Sequence, residues 1–320
     1  MPLEVLRIGS RSSPMAMAQV ARVRRELAVA RPELRTGAVG FTTAGDRWSG
    51  SLSRLGGKGA FSRELDDALL RGEVDVAVHC VKDLPGDVPP APGTLLAAYL
   101  TRDEPRDALV LRSGLVPPGA GDRGGPAGLP GLPPGAVVGT SAVRRVAQLA
   151  RHHPALSTRA VRGNVNSRLE RLDAAEYDAL VLGACGLARI GAADRIAELL
   201  PTATMLPAVG AGTLVVRCRE DDARALTAVR PLDDPVTRRE TEAERALLRR
   251  LRGHCNSPIA ALGRAMTDGT LSLRARVFSL DGERMVEADG HGADPDSLGT
   301  GVADRLLADG AMEIMGDLTH

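Results

Sequence analysis

Short apolar runs alternate with segments whose apolar residues return every three to four positions, and this alternation persists along most of the chain. EVLRIGS near the N-terminus reads as a strand. After it, Ala16, Val20, Val23 and Leu27 recur at i, i+4, i+7 and i+11, the stripe of a helix with one face on a core. Ser12 and Ser13 offer a hydroxyl cap to that helix, and Pro14 suits its first position. The order returns with VDVAVH at 74–79, ALVLR at 108–112, AVVGT at 136–140 before SAVRRVAQLA, TRAVRG at 158–163 before NSRLERL, and YDALVLGA at 177–184 before GLARIG. Strands followed by helices predict parallel sheets with helices on both faces, a doubly wound α/β architecture. Ligands of such folds lie at the carboxyl ends of strands, beside helix N-termini.

Two stretches break the rhythm. Residues 113–135, SGLVPPGAGDRGGPAGLPGLPPG, are too rich in Pro and Gly to bury a core and predict a surface loop. From Pro235 to Arg252 a charged helical pattern precedes the alternation TLSLRARVFSL and a closing helix near GVADRLLADGA, which predicts a smaller α+β domain at the C-terminus.

A chain of 320 residues exceeds one comfortable core and implies two or three domains. Its 41 basic and 40 acidic residues nearly cancel, so a surface uniformly attractive to nucleic acid or membrane is excluded. Any polyanion site must come from local clustering. No stretch approaches the roughly 18 apolar residues of a membrane helix, and MPLEVLRIGS lacks a basic-then-apolar leader, so a cytoplasmic protein is expected. Cys80, Cys185, Cys218 and Cys255 stand apart without CxxC or Cys/His spacing, which predicts reduced thiols and no metal.

Among 41 basic residues only Lys58 and Lys82 are lysines, and a compact ammonium does what a planar guanidinium cannot. Lys82 and Asp83 follow the apolar run that ends at His79, a candidate centre for chemistry. GGKGAFS at 56–62 lacks the spacing of a phosphate loop and follows no strand, so it is expected to be a flexible lid carrying Lys58 over a cleft, with Phe61 at the start of the next helix. Arg144 and Arg145 fall in the first turn of a helix capped by Thr140–Ser141, and Arg168 in that of a helix opened by Asn166–Ser167. Cations there cost a few tenths to about 1 kcal/mol each unless an anion offsets them. Arg11, Arg162 and Arg189 stand at equivalent junctions. Singly these are ordinary exposed arginines. Together on one edge of two sheets they form a site for several carboxylates or phosphates, since guanidinium forks match both. Cys255 in LRGHCNSPIA, beside His254 and near Arg252, is expected to be an exposed thiol of lowered pKa, whereas Cys185 and Cys218 read as small core residues.

The segments IGSRSSPMAMAQ, GGKGAF, DVAVHCVKDLP, DEPRDALV, VGTSAVRRVAQL, VRGNVNSRL, YDALVLGACGLARIG, LPAVGAG and GHCNSPI occur in the order and register of one family. The chain closely resembles hydroxymethylbilane synthase, also called porphobilinogen deaminase. The resemblance implies a cytosolic, monomeric transferase that joins four porphobilinogens head to tail into hydroxymethylbilane, releasing ammonia, with no nucleic acid or membrane partner. It also implies a dipyrromethane cofactor, two linked pyrroles held by a thioether to Cys255. Each ring carries an acetate and a propionate, which accounts for clustered arginines.

By position, the resemblance makes Asp83 and Lys82 catalytic. It assigns the cofactor to Cys255, Arg11, Ser13, Lys82, Asp83, Thr140, Ser141, Arg144, Arg145, Arg162, Gly163 and Arg168, and the substrate to Arg11, Gln19, Arg162, Arg168 and Arg189. Loss of ammonia leaves an azafulvene, positive at the pyrrole nitrogen; a carboxylate near the pyrrole N–H groups stabilises that charge and shuttles protons, and Lys82 favours its ionised form. The family also implies three domains: 3–104 with 207–230, and 105–206, both doubly wound like periplasmic binding proteins around a cleft, then 235–320, an α+β domain with the cysteine loop. Cys80, Ala142 and Ala211 stand where the family usually has serine, serine and glutamine. A competing reading is a diverged, weakly active or non-catalytic two-lobed binder of a small polycarboxylate or modified pyrrole.

Overall fold

The structure, a computed structural model, describes residues 5–48, 59, 62–115, 129, 132–254 and 256–316. Its first helix begins as its local chemistry dictates: Ser13 Oγ accepts from Ala16 N at 3.3 Å and Pro14 takes the first position. Ala16, Val20, Val23 and Leu27 are all buried. Val20, Val23 and Leu27 each contribute about 1.5–3 kcal/mol when fully removed from water.

The chain runs β1 (Leu6–Arg11), α1 (Pro14–Ala30), β2 (Thr36–Phe41), α2 (Ala44–Arg47), α3 (Arg63–Leu70), β3 (Val76–Cys80) and β4 (Thr94–Tyr99). It crosses into β5 (Asp107–Leu111), β6 (Val137–Gly139), α4 (Val143–His152), β7 (Ser157–Arg159), α5 (Val165–Asp173), β8 (Ala179–Gly183), α6 (Ala184–Arg189) and β9 (Glu198–Leu199). It then returns through β10 (Leu214–Arg219) and α7 (Ala223–Val229). α8 (Pro235–Arg250), β11 (Ile259–Ala265), β12 (Leu271–Phe278), β13 (Met285–Gly292), α9 (Pro295–Ala308) and α10 (Ala311–Met315) complete it.

Three sheets result, in the orders β2-β1-β3-β10-β4, β7-β6-β8-β5-β9 and β11-β12-β13. The first two are built alike. In each, three parallel strands are followed by a strand antiparallel to both neighbours, β10 in one and β5 in the other. The expectation of parallel sheets is corrected at these two strands, each of which enters its sheet directly from a crossover. Helices cover both faces, as in a doubly wound fold. In the first sheet α1 and α7 pack on Ile8, Val76 and Val216, while α3 packs on Val39 and Phe41. In β8, Leu180 and Leu182 meet α5 and α6, and Ala179 and Val181 meet the α4 side, so the strand reads as one apolar run. The third sheet is antiparallel and packs on α8 and α9.

The two crossovers are bonded to each other. Asp103 N donates to Gly212 O at 3.2 Å and Arg102 Nε to Ala211 O at 2.9 Å. Gly212, at φ +82°, allows this approach, since a Cβ there would lie 2.4 Å from Asp103 O. The Arg102 side chain is 5% exposed and pairs with Glu240 at 3.3 Å and Glu244 at 2.8 Å, which ties the crossovers to α8.

Two caps differ from expectation. α5 is capped by Asn164, whose side chain accepts from Ser167 N at 3.0 Å, rather than by Asn166–Ser167. α4 begins after Ala142 with no capping side chain, because Ser141 Oγ turns away to bond Val161 O at 2.7 Å and Val161 N at 3.0 Å.

Candidate functional site

β3 ends at Cys80 and tightens into a 3-10 turn at Val81–Asp83. Val81 N donates to Thr213 O at 3.1 Å and Leu84 N to Val81 O at 3.0 Å, and Val81 and Leu84 are both buried. Gly210 closes over this turn; at φ +70°, a Cβ on it would lie 2.5 Å from Val81 Cγ1. The turn is thereby clamped, with Asp83 half-buried and Lys82 exposed, and both line a cleft of ≈ 250 Å³.

All three sheets contribute to that cleft. From the second come Ser141, Ala142, Arg144, Arg145, Arg162 and Arg168; from the α8 end and the loop after it come Leu248, His254, Asn256 and Ser257. The loop is ordered by its own bonds: His254 N donates to Ser257 Oγ at 3.0 Å, and Asn256 N to His254 Nδ1 at 3.2 Å. Cys255, Lys58 and Phe61 lie outside the described residues.

The guanidiniums divide into compensated and uncompensated sets. Asp107, buried at the start of β5, accepts from Arg144 Nη1 at 2.6 Å and Arg145 Nη2 at 2.7 Å. Burial alone pushes its carboxyl up, but the charges of Arg144 and Arg145 outweigh that and hold it well below the usual carboxylate range. The anion expected to offset these helix-start cations is therefore, in part, the protein's own. Arg145 Nε nevertheless stays buried without a partner. Arg162 and Arg168 have no carboxylate partner among the described residues; Arg168 only donates Nε to Gly163 O at 2.9 Å. Burial, then repulsion from Arg145 and Arg162, pushes Arg168 down to about 10. Gly163, at φ +102°, turns its carbonyl to receive it.

Such a cluster fits a ligand with several carboxylates. A buried donor is left over and three guanidiniums repel one another, and acidic ligand groups relieve both. A dipyrromethane, with four carboxylates, meets that description.

Other expected site residues sit beside the cleft instead of lining it. Arg11 Nε bonds both oxygens of Asp46 at 3.1 Å, within electrostatic reach of Asp83. Arg189, nearly buried, donates to Asp103 Oδ2 at 2.9 Å and Gly212 O at 2.9 Å, at the bonded crossovers. The six junction arginines therefore do not form one set. Gln19 is buried and donates Nε2 to Cys80 Sγ at 3.1 Å, and Ser13 is engaged in capping α1. Thr140 is buried, its Oγ1 accepting from Ala142 N at 3.4 Å. Asp107, Asp46 and Asp103 were not singled out beforehand; Asp107 stands inside the segment DEPRDALV, but no spacing rule connects it to Arg144.

The chain matches the family described as porphobilinogen deaminase, dipyromethane cofactor binding domain, over residues 6–227, and porphobilinogen deaminase, C-terminal domain, over 239–308. It is 52% identical over 319 residues to porphobilinogen deaminase 2 of Streptomyces coelicolor, covering 99% of this chain and 98% of that one. Porphobilinogen deaminase of Synechococcus elongatus is 43% identical over 320 residues, with 99% and 96% covered. That of Thiobacillus denitrificans is 40% identical over 319 residues, with 99% of each covered.

Proposed function

The chain belongs to the porphobilinogen deaminase family, and from that premise we propose how its residues carry the family reaction. It is a transferase that condenses four porphobilinogens head to tail into hydroxymethylbilane with release of ammonia, on the route to tetrapyrroles. When bound, the dipyrromethane supplies the free pyrrole α-carbon to which the first substrate ring is joined.

Asp83 is the catalytic carboxylate. Its clamped turn holds it where a substrate pyrrole N–H can reach it, and there it stabilises positive charge at that nitrogen and takes up or returns the proton. Lys82, beside it on the same turn, adds one more cation for substrate acids. Arg144, Arg145, Arg162 and Arg168 grip acetate and propionate groups, with Ser141 and the carbonyl-turning Gly163 shaping their surroundings. Arg11 and Arg189, held by Asp46 and Asp103, act at the margin of the cleft, as do Ser13, Gln19 and Thr140. Cys255 carries the cofactor through a thioether, and Lys58 and Phe61 belong to a lid. The units 3–104 with 207–230, 105–206 and 235–320 act as three domains of a cytoplasmic monomer.

What supports this reading is that Asp83, four guanidiniums and both neighbours of Cys255 line one cleft. Intact-mass measurement tests it. The unaltered protein is expected to be heavier than its sequence by two pyrrole units, and Cys255→Ala to lack the addition. Asp83→Asn is expected to keep the addition and to lose nearly all porphobilinogen consumption; unchanged consumption would remove Asp83 from its role.

A further inference from the structure

Two glycines whose backbone dihedrals do not require glycine flank one leucine. Gly86 follows the Asp83 turn, and Gly253 lies in the loop that carries Cys255. Neither has a positive φ. Leu248 of α8 stands against both, joined at the second by Ile259. A Cβ at Gly86 would lie 2.2 Å from Leu248 Cδ2, and a Cβ at Gly253 would lie 2.6 Å from Leu248 Cδ1 and 2.4 Å from Ile259 Cδ1. Each branch methyl of one leucine therefore bears on the backbone of one loop.

The end of α8 also holds both loops through polar bonds. Arg245 Nη2 donates to Pro85 O at 3.2 Å, and Gly253 N donates to Leu248 O at 2.9 Å. Leu248 is 7% exposed, lines the cleft, and packs in the core under the third sheet with Leu247, Leu251 and Ile259. Arg252, at φ +53°, makes the sharp exit from the helix that brings Gly253 back against it.

We propose that Leu248 is a positioning residue: it sets the separation between the Asp83 turn and the Cys255 loop, and so the register of the tethered pyrrole chain against the catalytic carboxylate. This rests on the site reading above. A γ-branched side chain suits the task because its two methyls point to opposite sides, one to each glycine. A β-branched residue of equal volume moves the branch one carbon toward the backbone and keeps a single δ-methyl, so it cannot hold both contacts at once. Misplacement of reacting groups by about 1 Å costs on the order of 100-fold in rate.

The test compares Leu248→Ala, Leu248→Ile, Gly86→Ala, the double variant Gly86→Ala with Leu248→Ala, and Leu247→Ala as a control truncation in the same core. The readouts are intact mass, kcat and KM for porphobilinogen, melting temperature, and amide exchange at Leu84 and Gly253. Leu248→Ala and Leu248→Ile are expected to load cofactor fully and keep KM within about 3-fold. Their kcat should fall roughly 30–100-fold, and in Leu248→Ala exchange should speed up at both amides together. The double variant should recover at least about 10-fold of kcat over Leu248→Ala, because the new methyl takes the place of Cδ2. Leu247→Ala should lower the melting temperature and leave kcat within about 3-fold.

Wild-type kcat in Leu248→Ile, or no recovery in the double variant, overturns the proposal and leaves Leu248 an ordinary core residue. Should Leu248→Ala fail to fold, Leu248→Ile still decides the matter through kcat, and Gly86→Ala, whose methyl presses on Leu248 Cδ2, should lower kcat with the cofactor in place, a wild-type kcat there overturning the proposal as well. A missing pyrrole mass or an active Asp83→Asn defeats the site reading instead, and is distinguishable from either result.

Discussion

Asp107 Oδ1 accepts from Arg145 Nη2 at 2.7 Å, across the space between the first residue of β5 and the first turn of α4. Arg144 reaches the same carboxylate and also donates Nη1 to Leu206 O at 3.1 Å, on the returning crossover. Arg144 is therefore anchored both where the chain enters β5 and where it starts its return to the first sheet.

Replacing Asp107 by Asn leaves two buried guanidiniums without an anion. The expected loss is about 3–5 kcal/mol in urea unfolding at neutral pH. The folded carboxyl lies below its unfolded range, so its contribution is complete above about pH 4 and declines as pH falls toward the folded value. The gap between wild type and Asp107→Asn should accordingly narrow in acid. A gap that widens there contradicts the assignment.

Arg168 is expected to trade stability for binding. Its charge is disfavoured by burial and by Arg145 and Arg162, so Arg168→Gln should raise the melting temperature of cofactor-free protein by about 1–3 °C. The same change should weaken carboxylate binding roughly 10–100-fold, read as a rise in KM. A lower melting temperature together with unchanged KM would show that the cluster does not await an anion.

Glu244 is fully buried and accepts from Arg102, from Gly210 N at 2.6 Å and from Gly263 N at 2.8 Å. Glu244→Gln removes the nearer of the two charges opposite Arg102 and turns an NH₂ toward backbone N–H groups. Thermal unfolding should show a loss of about 3–5 kcal/mol. Glu244→Asp, which keeps the charge, should lose less.

Cys80 Sγ accepts from Gln19 Nε2 and, at 3.5 Å, from Arg189 Nη1, and burial followed by the charge of Asp83 pushes its thiol up. It should resist alkylation at pH 7–8 in the folded protein. Cys80→Ser supplies an acceptor at the same point, and turnover should stay within about 3-fold. A larger drop would mean that the sulfur itself is required.

Features decided by neighbours in sequence were readable beforehand. Ser13, Pro14 and the stripe from Ala16 to Leu27 are local signals, and the helix they describe is present. Ser141 does not cap α4, because its hydroxyl has a better partner in Val161, 20 residues on. The orientation of β5 and β10 depends on where the chain re-enters each sheet, which hydrophobic period does not encode. Lys82, Asp83, Arg144, Arg145, Arg162 and Arg168 do share a cleft, as strand-to-helix junctions suggested. Arg11 and Arg189 looked equivalent to them at the level of residue type. Their carboxylate partners, Asp46 and Asp103, lie 35 and 86 residues away.

The place of β10 between β3 and β4 sets an order on how the protein can be made. A nascent chain that has emerged as far as Tyr99 holds an amino-terminal sheet with a gap beside its middle strand, and the filling segment, Leu214–Arg219, is not yet translated. The second sheet spans one uninterrupted stretch and can close while that gap waits. The last-arriving strand is also the one reached through the glycine that clasps the Asp83 turn, so that turn is completed only after most of the polypeptide has left the ribosome.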